Sequence, residues 1–266
     1  MALKDFPKLY CPFIRKTYEV DYNDWKKYGP RLGLRTPEVY LVTSEINPEC
    51  SWVFENDDVY AVEKLHGTNL LVEVKDSRLV YMQNRMNEVD FAKVIGKKNG
   101  LPPSARYLEG VLHAAELDYL EDNKVQYGEL IGPKLNGNLH QLSRHLWYPF
   151  NKARVSLRYK SFNKYPKEFW GWSEWFRVAL KSILYCRMNK IPLHEMFSRE
   201  DVPFTEGVVL YKDVDNPDKA MMSKLRRDMF PWYYWDKIEI KGLEECWLEY
   251  GVKNQLPVKG YTEVYK

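Results

Sequence analysis

The chain has 266 residues, of which 45% are hydrophobic and 15% are aromatic. This length and composition exclude a wholly disordered chain and predict one large domain, alone or with a small appendage. The net charge of +3 is too small to indicate a nucleic-acid partner by itself, but it permits a local basic surface.

The cysteines and the apolar segments bear on where the protein works. The four cysteines are far apart, without the spacing of a metal or redox site, and are interpreted as free thiols: Cys11, Cys50, Cys186 and Cys246. No apolar run approaches the roughly 20 residues that a membrane helix needs, and the first residues lack the apolar core of a signal peptide. We therefore expect a cytoplasmic protein, in a cell or a virus-infected host, with no membrane partner, and we expect a monomer.

The first part of the chain predicts strands after a proline-rich start. Residues 1–50 are interrupted by prolines and predict loops and short elements that pack on the rest as an N-terminal extension. Runs of β-branched and aromatic residues then predict three strands: Val59–Lys64, Leu70–Val74 and Leu79–Arg85. We expect these strands to form an antiparallel meander, with a tight polar turn between the first and the second.

The later part of the chain predicts two helices and three more strands. One helix follows Pro103, with Ser104 as a candidate cap, and another runs from Ser173 to about Arg187. The further strands are Val125–Ile131, Gly207–Lys212 and Ala220–Arg226. Because strands outnumber helices and follow one another as hairpins, the sequence predicts an α+β fold with antiparallel sheets and flanking helices.

The domain organisation is predicted from these elements. We expect residues 51–228 to form the main domain and residues 229–266 to form a short aromatic tail, not a full second domain. Residues 144–164 are locally basic and are interleaved with aromatic side chains. Base stacking on aromatic rings beside basic groups is typical of nucleic-acid binding, whereas burial in the core is the ordinary fate of such rings.

The common catalytic motifs are absent from the sequence. There is no phosphate-binding G-x-x-x-x-G-K-[ST] loop, no G-x-G-x-x-G, no H-E-x-x-H and no G-x-S-x-G. A set of charged residues remains at the ends of predicted strands: Lys64, Arg85, Glu129, Glu206, Lys224 and Arg226. Each of these residues alone is more often a solvated surface group than a catalytic one.

Lys64 is the candidate nucleophile, because a neutral lysine amine can attack phosphorus. An ordinary lysine is protonated at pH 7, and nearby cations or desolvation make the neutral form accessible. Lys224 and Arg226 are two residues apart on a predicted strand, so they face the same side. We expect this pair to supply such cations or to hold phosphate groups.

The order of these residues resembles a known family. The segment Glu63-Lys64-Leu65-His66-Gly67-Thr68-Asn69 is similar to motif I of the covalent nucleotidyltransferases, which are ligases and capping enzymes. Its K-x-H-G form resembles the RNA ligase 2-like family, whereas DNA ligases and capping enzymes usually carry K-x-D-G. Four further segments resemble motifs Ia, III, IV and V in the family's order: Gln83-Asn84-Arg85, Tyr127–Pro133, Glu206–Val209 and Ser223–Arg226.

This resemblance implies an ATP-dependent RNA ligase with the ATP-grasp-like fold of ligase adenylation domains. Lys64 would attack the α-phosphate of ATP and become lysyl-AMP. The AMP would pass to an RNA 5′-phosphate, and a 3′-hydroxyl would then displace it and join the ends. The implied cofactors are ATP and Mg²⁺, with Mn²⁺ as an alternative, and the implied partner is RNA with 5′-phosphate and 3′-hydroxyl ends.

The resemblance also implies roles for single residues. His66 and Lys224 would be catalytic together with Lys64, with His66 acting in the later RNA steps, and Glu206 would be the metal ligand. Phe162 in Leu157–Phe162 would stack on adenine. The implied nucleotide-binding residues are Glu63, Asn69, Arg85, Glu129, Phe162, Glu206, Lys224 and Arg226.

The sequence departs from the family pattern in three places. Arg226 stands where lysine is usual, and Asn163 follows Phe162 where the family has aspartate. The part after Arg226 is shorter than the C-terminal domain of nick-sealing members, so we expect RNA to bind residues 1–50 or 144–164 instead. Three alternatives stay open: a DNA ligase or capping guanylyltransferase, a nucleotide- or RNA-binding module that has lost ligation, and a structural protein with coincidental motifs.

Overall fold

The structure is a computed structural model that describes residues 6, 8–90, 105–213, 220–234 and 237–242. The strands in these residues are β1 (Phe13–Glu19), β2 (Glu38–Ile46), β3 (Tyr60–Glu63), β4 (Thr68–Lys75), β5 (Arg78–Asn84), β6 (Lys124–Ile131), β7 (Leu146–Pro149), β8 (Gly207–Lys212) and β9 (Met221–Arg226). The α-helices are α1 (Tyr22–Tyr28), α2 (Trp52–Glu55), α3 (Ala105–Glu116), α4 (Phe150–Ser156), α5 (Phe169–Val178) and α6 (Ile183–Met188).

The strands form three sheets, and their order confirms an α+β fold with antiparallel pairing. The sheets have the strand orders β1-β2, β3-β8-β9 and β5-β4-β6-β7. The pairs β1·β2, β3·β8, β4·β5, β4·β6 and β6·β7 are all antiparallel. Helices lie between the strands along the chain.

The predicted meander is wrong for its first strand. β3 pairs with β8, whereas β4 pairs with β5 and β6, so the chain changes sheets between Glu63 and Thr68. Periodicity identifies a strand but not its partner, which is decided by the surfaces that must be covered. Ala61 and Val62 face opposite sides of β3, and both are buried. Their partners on β8 are Leu210, which is buried, and Val209, which is half-buried.

The helix predicted from Ser173 to about Arg187 is also wrong, because two helices occupy this range. Ser173 lies buried inside α5, and the cap is Ser182, whose side chain accepts a hydrogen bond from Tyr185 N at the start of α6. Between the helices Lys181 forms a β-bridge with Phe204, which interrupts the helical backbone. The other predicted helix is present as α3, whereas its candidate cap Ser104 lies outside the described residues.

The chain divides into two compact units whose boundaries differ from the expected extension, domain and tail. The first unit contains Met1–Leu9, Asp58–Phe162 and Ala179–Lys224, and the second contains Tyr10–Asp57, Asn163–Val178 and Leu225–Lys266. In the second unit, residues of the β1–β2 segment share a core with residues far along the chain: Val20, Val39, Leu41, Tyr234, Ile238 and Ile240. Such a core joins segments that no local pattern connects.

The first unit is built around the four-stranded sheet. Leu70 and Leu71 in β4 are fully buried, and Trp147 Nε1 donates a hydrogen bond of 2.9 Å to Leu70 O. Gly110 allows α3 to approach this sheet, because a Cβ at residue 110 would lie 2.2 Å from Leu130 Cδ1 and 3.2 Å from Trp147 N. This close packing gives β4 and β6, which carry candidate site residues, a rigid support.

The predictions about the cysteines and about membrane-spanning helices can be compared with the described residues. Cys11, Cys50 and Cys186 are buried cysteines that are not joined in disulfides, as predicted, and Cys246 lies outside the described residues. In the part of the chain that the structure describes, no helix has both the length and the apolar character needed to cross a membrane.

The packing of the central strand predicts that Gly128→Ala destabilises the protein. A Cβ at Gly128 would lie 2.6 Å from Tyr148 O and 2.7 Å from atoms of the Trp147 ring, so backbone would have to move. We expect the free energy of unfolding to fall by about 1–3 kcal/mol, as for other overpacked sites. Urea denaturation measures this change.

Val80→Ile is the matched control, because it adds a methyl group to β5 at a side chain that is 45% exposed. We expect the control to change the free energy of unfolding by less than about 0.5 kcal/mol. Equal urea midpoints for the two variants would contradict the proposed packing.

Candidate functional site

Lys64 begins the crossing between the two sheets of the first unit, and its backbone is held from both sides. Its N–H donates to Gly207 O at 2.9 Å, and its carbonyl accepts from Thr205 Oγ1 at 3.2 Å. The side chain is 21% exposed, and Nζ lies 2.6 Å from Glu206 Oε2 and 3.4 Å from Leu65 O. The amine is therefore partly shielded, accessible and directed by a carboxylate from the segment that leads into β8.

The described hydrogen bonds of the Lys64 amine go to acceptor groups. Its partners are the Glu206 carboxylate and a backbone carbonyl. Lys224 lies on β9, two strands from β3 in the sheet, and is half-buried. Arg226 belongs to the second unit, where its Nε lies 3.0 Å from Asp228 Oδ1. The alternation along β9 is as predicted, since Lys224 and Arg226 are half-buried and the intervening Leu225 is buried.

Glu129 extends from β6 to the loop between β3 and β4. Its Oε1 accepts from Gly67 N at 3.1 Å, and its Oε2 accepts from Asn69 Nδ2 at 2.6 Å. The pKa of Glu129 is raised to about 7, mainly by burial. The negative charge of Glu206 also raises this pKa, whereas the positive charge of Lys64 partly offsets the rise. Lys64, Glu206 and Glu129 therefore form one interacting charge cluster.

The loop between β3 and β4 is fixed by side chains from elsewhere in the first unit. His66 N donates to His140 Nε2 at 3.2 Å, and Gly67 O accepts from Asn136 Nδ2 at 2.6 Å. Glycine is required at residue 67, because a Cβ there would lie 1.9 Å from Leu130 O. These contacts give the residues after Lys64 a single backbone path.

Glu63 precedes Lys64, but its side chain points into the core. Its Oε1 accepts from Ser182 Oγ at 2.6 Å, and its Oε2 accepts from Leu184 N at 2.8 Å in the first turn of α6. Burial raises the pKa of this carboxyl group to about 7, with the hydrogen bonds from Ser182 and Leu184 acting in the opposite sense. The carboxylate predicted to contact the nucleotide is thus occupied in holding α6 against β3.

Two other predicted nucleotide contacts differ in their exposure. Arg85 is exposed just beyond the end of β5. Phe162 is 2% exposed, so its ring has no free face on which adenine could stack in this structure. The aromatic residue that was predicted for stacking is part of the core.

The basic and aromatic stretch at 144–164 separates into two environments. Its rings Trp147, Tyr148 and Tyr159 are buried, which agrees with the ordinary burial of aromatic rings and not with the stacking alternative. Its basic residues stay near the surface, and Arg144 forms an exposed ion pair of 2.9 Å with Glu116. The interleaved pattern reflects an alternation between core and surface.

Four residues at the loop were missed from the sequence: Asn136, His140, Ser182 and Thr205. One local signal was present, because Leu135-Asn-Gly-Asn-Leu is rich in turn-forming residues. Asn136, Gly137 and Asn138 indeed have positive φ angles of 43°, 75° and 49°. That signal predicts a tight loop, but the backbone that its side chains contact is set by tertiary packing.

The donor set of the charge cluster fits a divalent cation only with help from phosphate and water. Among the described residues, no group of three or more His, Cys, Asp or Glu side chains is arranged to hold a metal ion. Mg²⁺ is commonly held by one or two carboxylates together with phosphate oxygens and waters. Glu206 and Glu129 are carboxylates of this kind beside Lys64.

Comparison with known proteins gives matches among solved structures. No family model matches the chain, and no curated protein sequence matches it. The chain is similar to the Naegleria gruberi RNA ligase with PPi, at 18% identity and a TM-score of 0.39, over 70% of this chain and 54% of that chain. A variant of that ligase with AMP and Mn has 17% identity and a TM-score of 0.33, over 73% and 54%. A variant with ATP and Mn has 17% identity and a TM-score of 0.32, over 65% and 51%. The chain spans about half the length of the solved structures it matches.

The buried position of Glu63 predicts how stability depends on pH. Its pKa is about 7 in the folded protein, against an ordinary value of 4.5. Between these values the folded state keeps a proton that the unfolded state releases, so this contribution to stability is full below pH 4.5 and is lost as pH rises to about 7. The difference corresponds to roughly 3 kcal/mol at about 1.4 kcal/mol per pKa unit.

Glu63→Gln removes this titration and leaves the other groups in place. The quantity compared is the free energy of unfolding of the unsubstituted protein minus that of the variant. We expect this difference to fall as pH rises from 5 to 8. Urea denaturation at each pH measures the difference. Glu45→Gln, which makes the same change at an exposed glutamate, is the matched control. A pH-independent difference for Glu63→Gln would contradict the burial argument.

Proposed function

We propose that this chain is an ATP-dependent RNA ligase that carries AMP on Lys64 and joins an RNA 5′-phosphate to a 3′-hydroxyl. The observation that carries the proposal is the partly shielded Lys64 amine at 2.6 Å from Glu206, within a fixed K-x-H-G loop. Glu129 adds a second carboxylate to the same charge cluster. A lysine that serves only as a solvated surface group would not require this surrounding order.

In the first step the Lys64 nitrogen donates its electron pair to the α-phosphorus of ATP. A phosphorus–nitrogen bond forms, the bond from that phosphorus to the α–β bridging oxygen breaks, and pyrophosphate leaves with the bonding electrons. The ammonium must first lose a proton, and Glu206 Oε2 is the side-chain acceptor within hydrogen-bond distance of Nζ. Because this is phosphoryl transfer, positioning and charge neutralisation supply most of the rate.

Cationic side chains and a divalent cation complete the proposed phosphate site. Lys224 on β9 and Arg85 beyond β5 are proposed to hold phosphate oxygens, since Lys224 is half-buried and Arg85 is exposed. A bound Mg²⁺ or Mn²⁺ would neutralise phosphate charge, with Glu206 as its proposed protein ligand. Asn69 and Glu129 are proposed to hold the loop beside the nucleotide, because Glu129 accepts hydrogen bonds from both Asn69 and Gly67.

In the next two steps AMP moves from Lys64 to RNA and is then released. A 5′-phosphate oxygen of RNA attacks the adenylate phosphorus, and the phosphorus–nitrogen bond to Lys64 breaks. A 3′-hydroxyl then attacks the activated 5′-phosphorus, a phosphodiester forms and AMP leaves. His66 is proposed to act in these RNA steps, because its backbone is fixed two residues after Lys64.

The first test is covalent labelling with ATP that carries the label at its α-phosphate. We expect an acid-labile label that survives a denaturing gel, requires a divalent cation and disappears in Lys64→Ala, because no other amine replaces the nucleophile. Lys75→Ala is the control, since Lys75 is exposed at the end of β4.

The outcomes of this labelling separate the alternatives. Label from GTP but not from ATP would favour a capping guanylyltransferase. A folded protein that takes no label with either nucleotide under Mg²⁺ or Mn²⁺ would overturn the proposal and favour a binding module. Sealing of nicked duplexes with DNA, but not RNA, at the 3′-hydroxyl side would favour a DNA ligase.

The second test separates the steps with His66→Ala. We expect lysyl-AMP formation to fall less than about 10-fold, and sealing of a pre-adenylated RNA nick to fall more than about 100-fold, as for loss of a group acting in proton transfer. Single-turnover assays of each step measure the two rates. Equal losses in both steps would contradict a role for His66 specific to the RNA steps.

A further inference from the structure

One buried imidazole contacts the chain on both sides of Lys64. His140 is 1% exposed and lies in the segment between β6 and β7. Its Nε2 accepts from His66 N at 3.2 Å, two residues after Lys64. Its Nδ1 lies 3.4 Å from Glu63 Oε1, one residue before Lys64, and 3.3 Å from Ser182 Oγ. The nucleophile therefore sits between two contacts to the same ring.

These contacts determine the hydrogen on the ring. A backbone N–H can only donate, so Nε2 must be the unprotonated, accepting nitrogen. The Nδ1 hydrogen then points to Glu63 and Ser182, which both carry acceptor lone pairs. Burial lowers the pKa of His140 to about 3, with the charges of His66 and Lys64 acting in the same sense, so the ring is neutral at physiological pH.

We propose that His140 is a positioning residue for lysine adenylation, whose Nε2 holds the His66 amide and thereby sets the direction of the segment from Lys64 to Gly67. This inference rests on the proposed function for its catalytic consequence. The loss of the bond would leave the partly buried His66 N–H without this acceptor, and the loop would move to satisfy it. A displacement of about 1 Å at a nucleophile can cost on the order of 100-fold in rate.

The alternative to a positioning role is that His140 only fills space in the core. Two substitutions separate positioning from filling, because glutamine reaches as far as Nε2 and asparagine only as far as Nδ1. His140→Gln can still accept from His66 N but weakens the contact to Glu63 and Ser182. His140→Asn keeps the contact to Glu63 and Ser182 but cannot reach His66 N. His194→Asn is the control, since this side chain is 83% exposed.

The experiment measures three quantities in the full chain: the urea midpoint, hydrogen exchange at the His66 amide, and the single-turnover rate of lysyl-AMP formation against ATP concentration. We expect His140→Asn to lose protection of the His66 amide and about 100-fold in rate, without a matching fall in apparent ATP affinity. We expect His140→Gln to keep the protection and to lose less than about 10-fold. His194→Asn should match the original protein in all three.

The failure of this inference is distinguishable from the failure of the proposed function. If His140→Asn and His140→Gln lose rate equally and in proportion to their urea midpoints, His140 only supports the fold. If the original protein forms no lysyl-AMP, the ligase proposal fails, and the hydrogen-exchange comparison still tests the contact. Equal protection of the His66 amide in both variants would overturn the inference.

Discussion

The chain passes from one antiparallel sheet to another between Glu63 and Thr68, and this crossing has to satisfy its polar groups away from a regular ladder. Glu129, Asn136 and His140 supply the partners for the backbone at His66 and Gly67. Because these hydrogen bonds hold two successive residues from three directions, they restrict the path of the crossing. The direction of the Lys64 side chain, which leaves the backbone at the start of this path, is a consequence.

Two buried carboxylates meet this crossing, and their partners give them different tasks. Glu63 faces inward and bonds Ser182 and Leu184, so it joins β3 to α6. Glu129 accepts a hydrogen bond from the loop and interacts electrostatically with Lys64 and Glu206. Burial raises the pKa of both carboxyl groups to about 7, because the charged form is poorly solvated.

Several predictions from local pattern were correct, and the errors share a cause. β6, β8 and β9 agree with their predicted ranges to within one residue, since hydrophobic alternation and turn residues are local properties. The predicted partner of β3 was wrong, and so was the single helix predicted across α5 and α6. Both features depend on contacts between distant residues, such as the bridge of Lys181 with Phe204. The rings at 144–164 were considered for stacking, yet the cores of the fold take Trp147 and Tyr159.

The sequence by itself determined the strands β3 to β6, β8 and β9, the α+β class and an ordered series of charged segments that contains Lys64, Glu129 and Glu206, whereas it missed β1, β2 and β7. It could do so because alternation, turns and short motifs are written in consecutive residues. Only the tertiary structure decided that Glu206 contacts the Lys64 amine, that Glu63 turns inward, and that His140 holds the loop. The physical reason is that burial and hydrogen bonding select the partner of each of these side chains at a sequence separation of 74 or more residues.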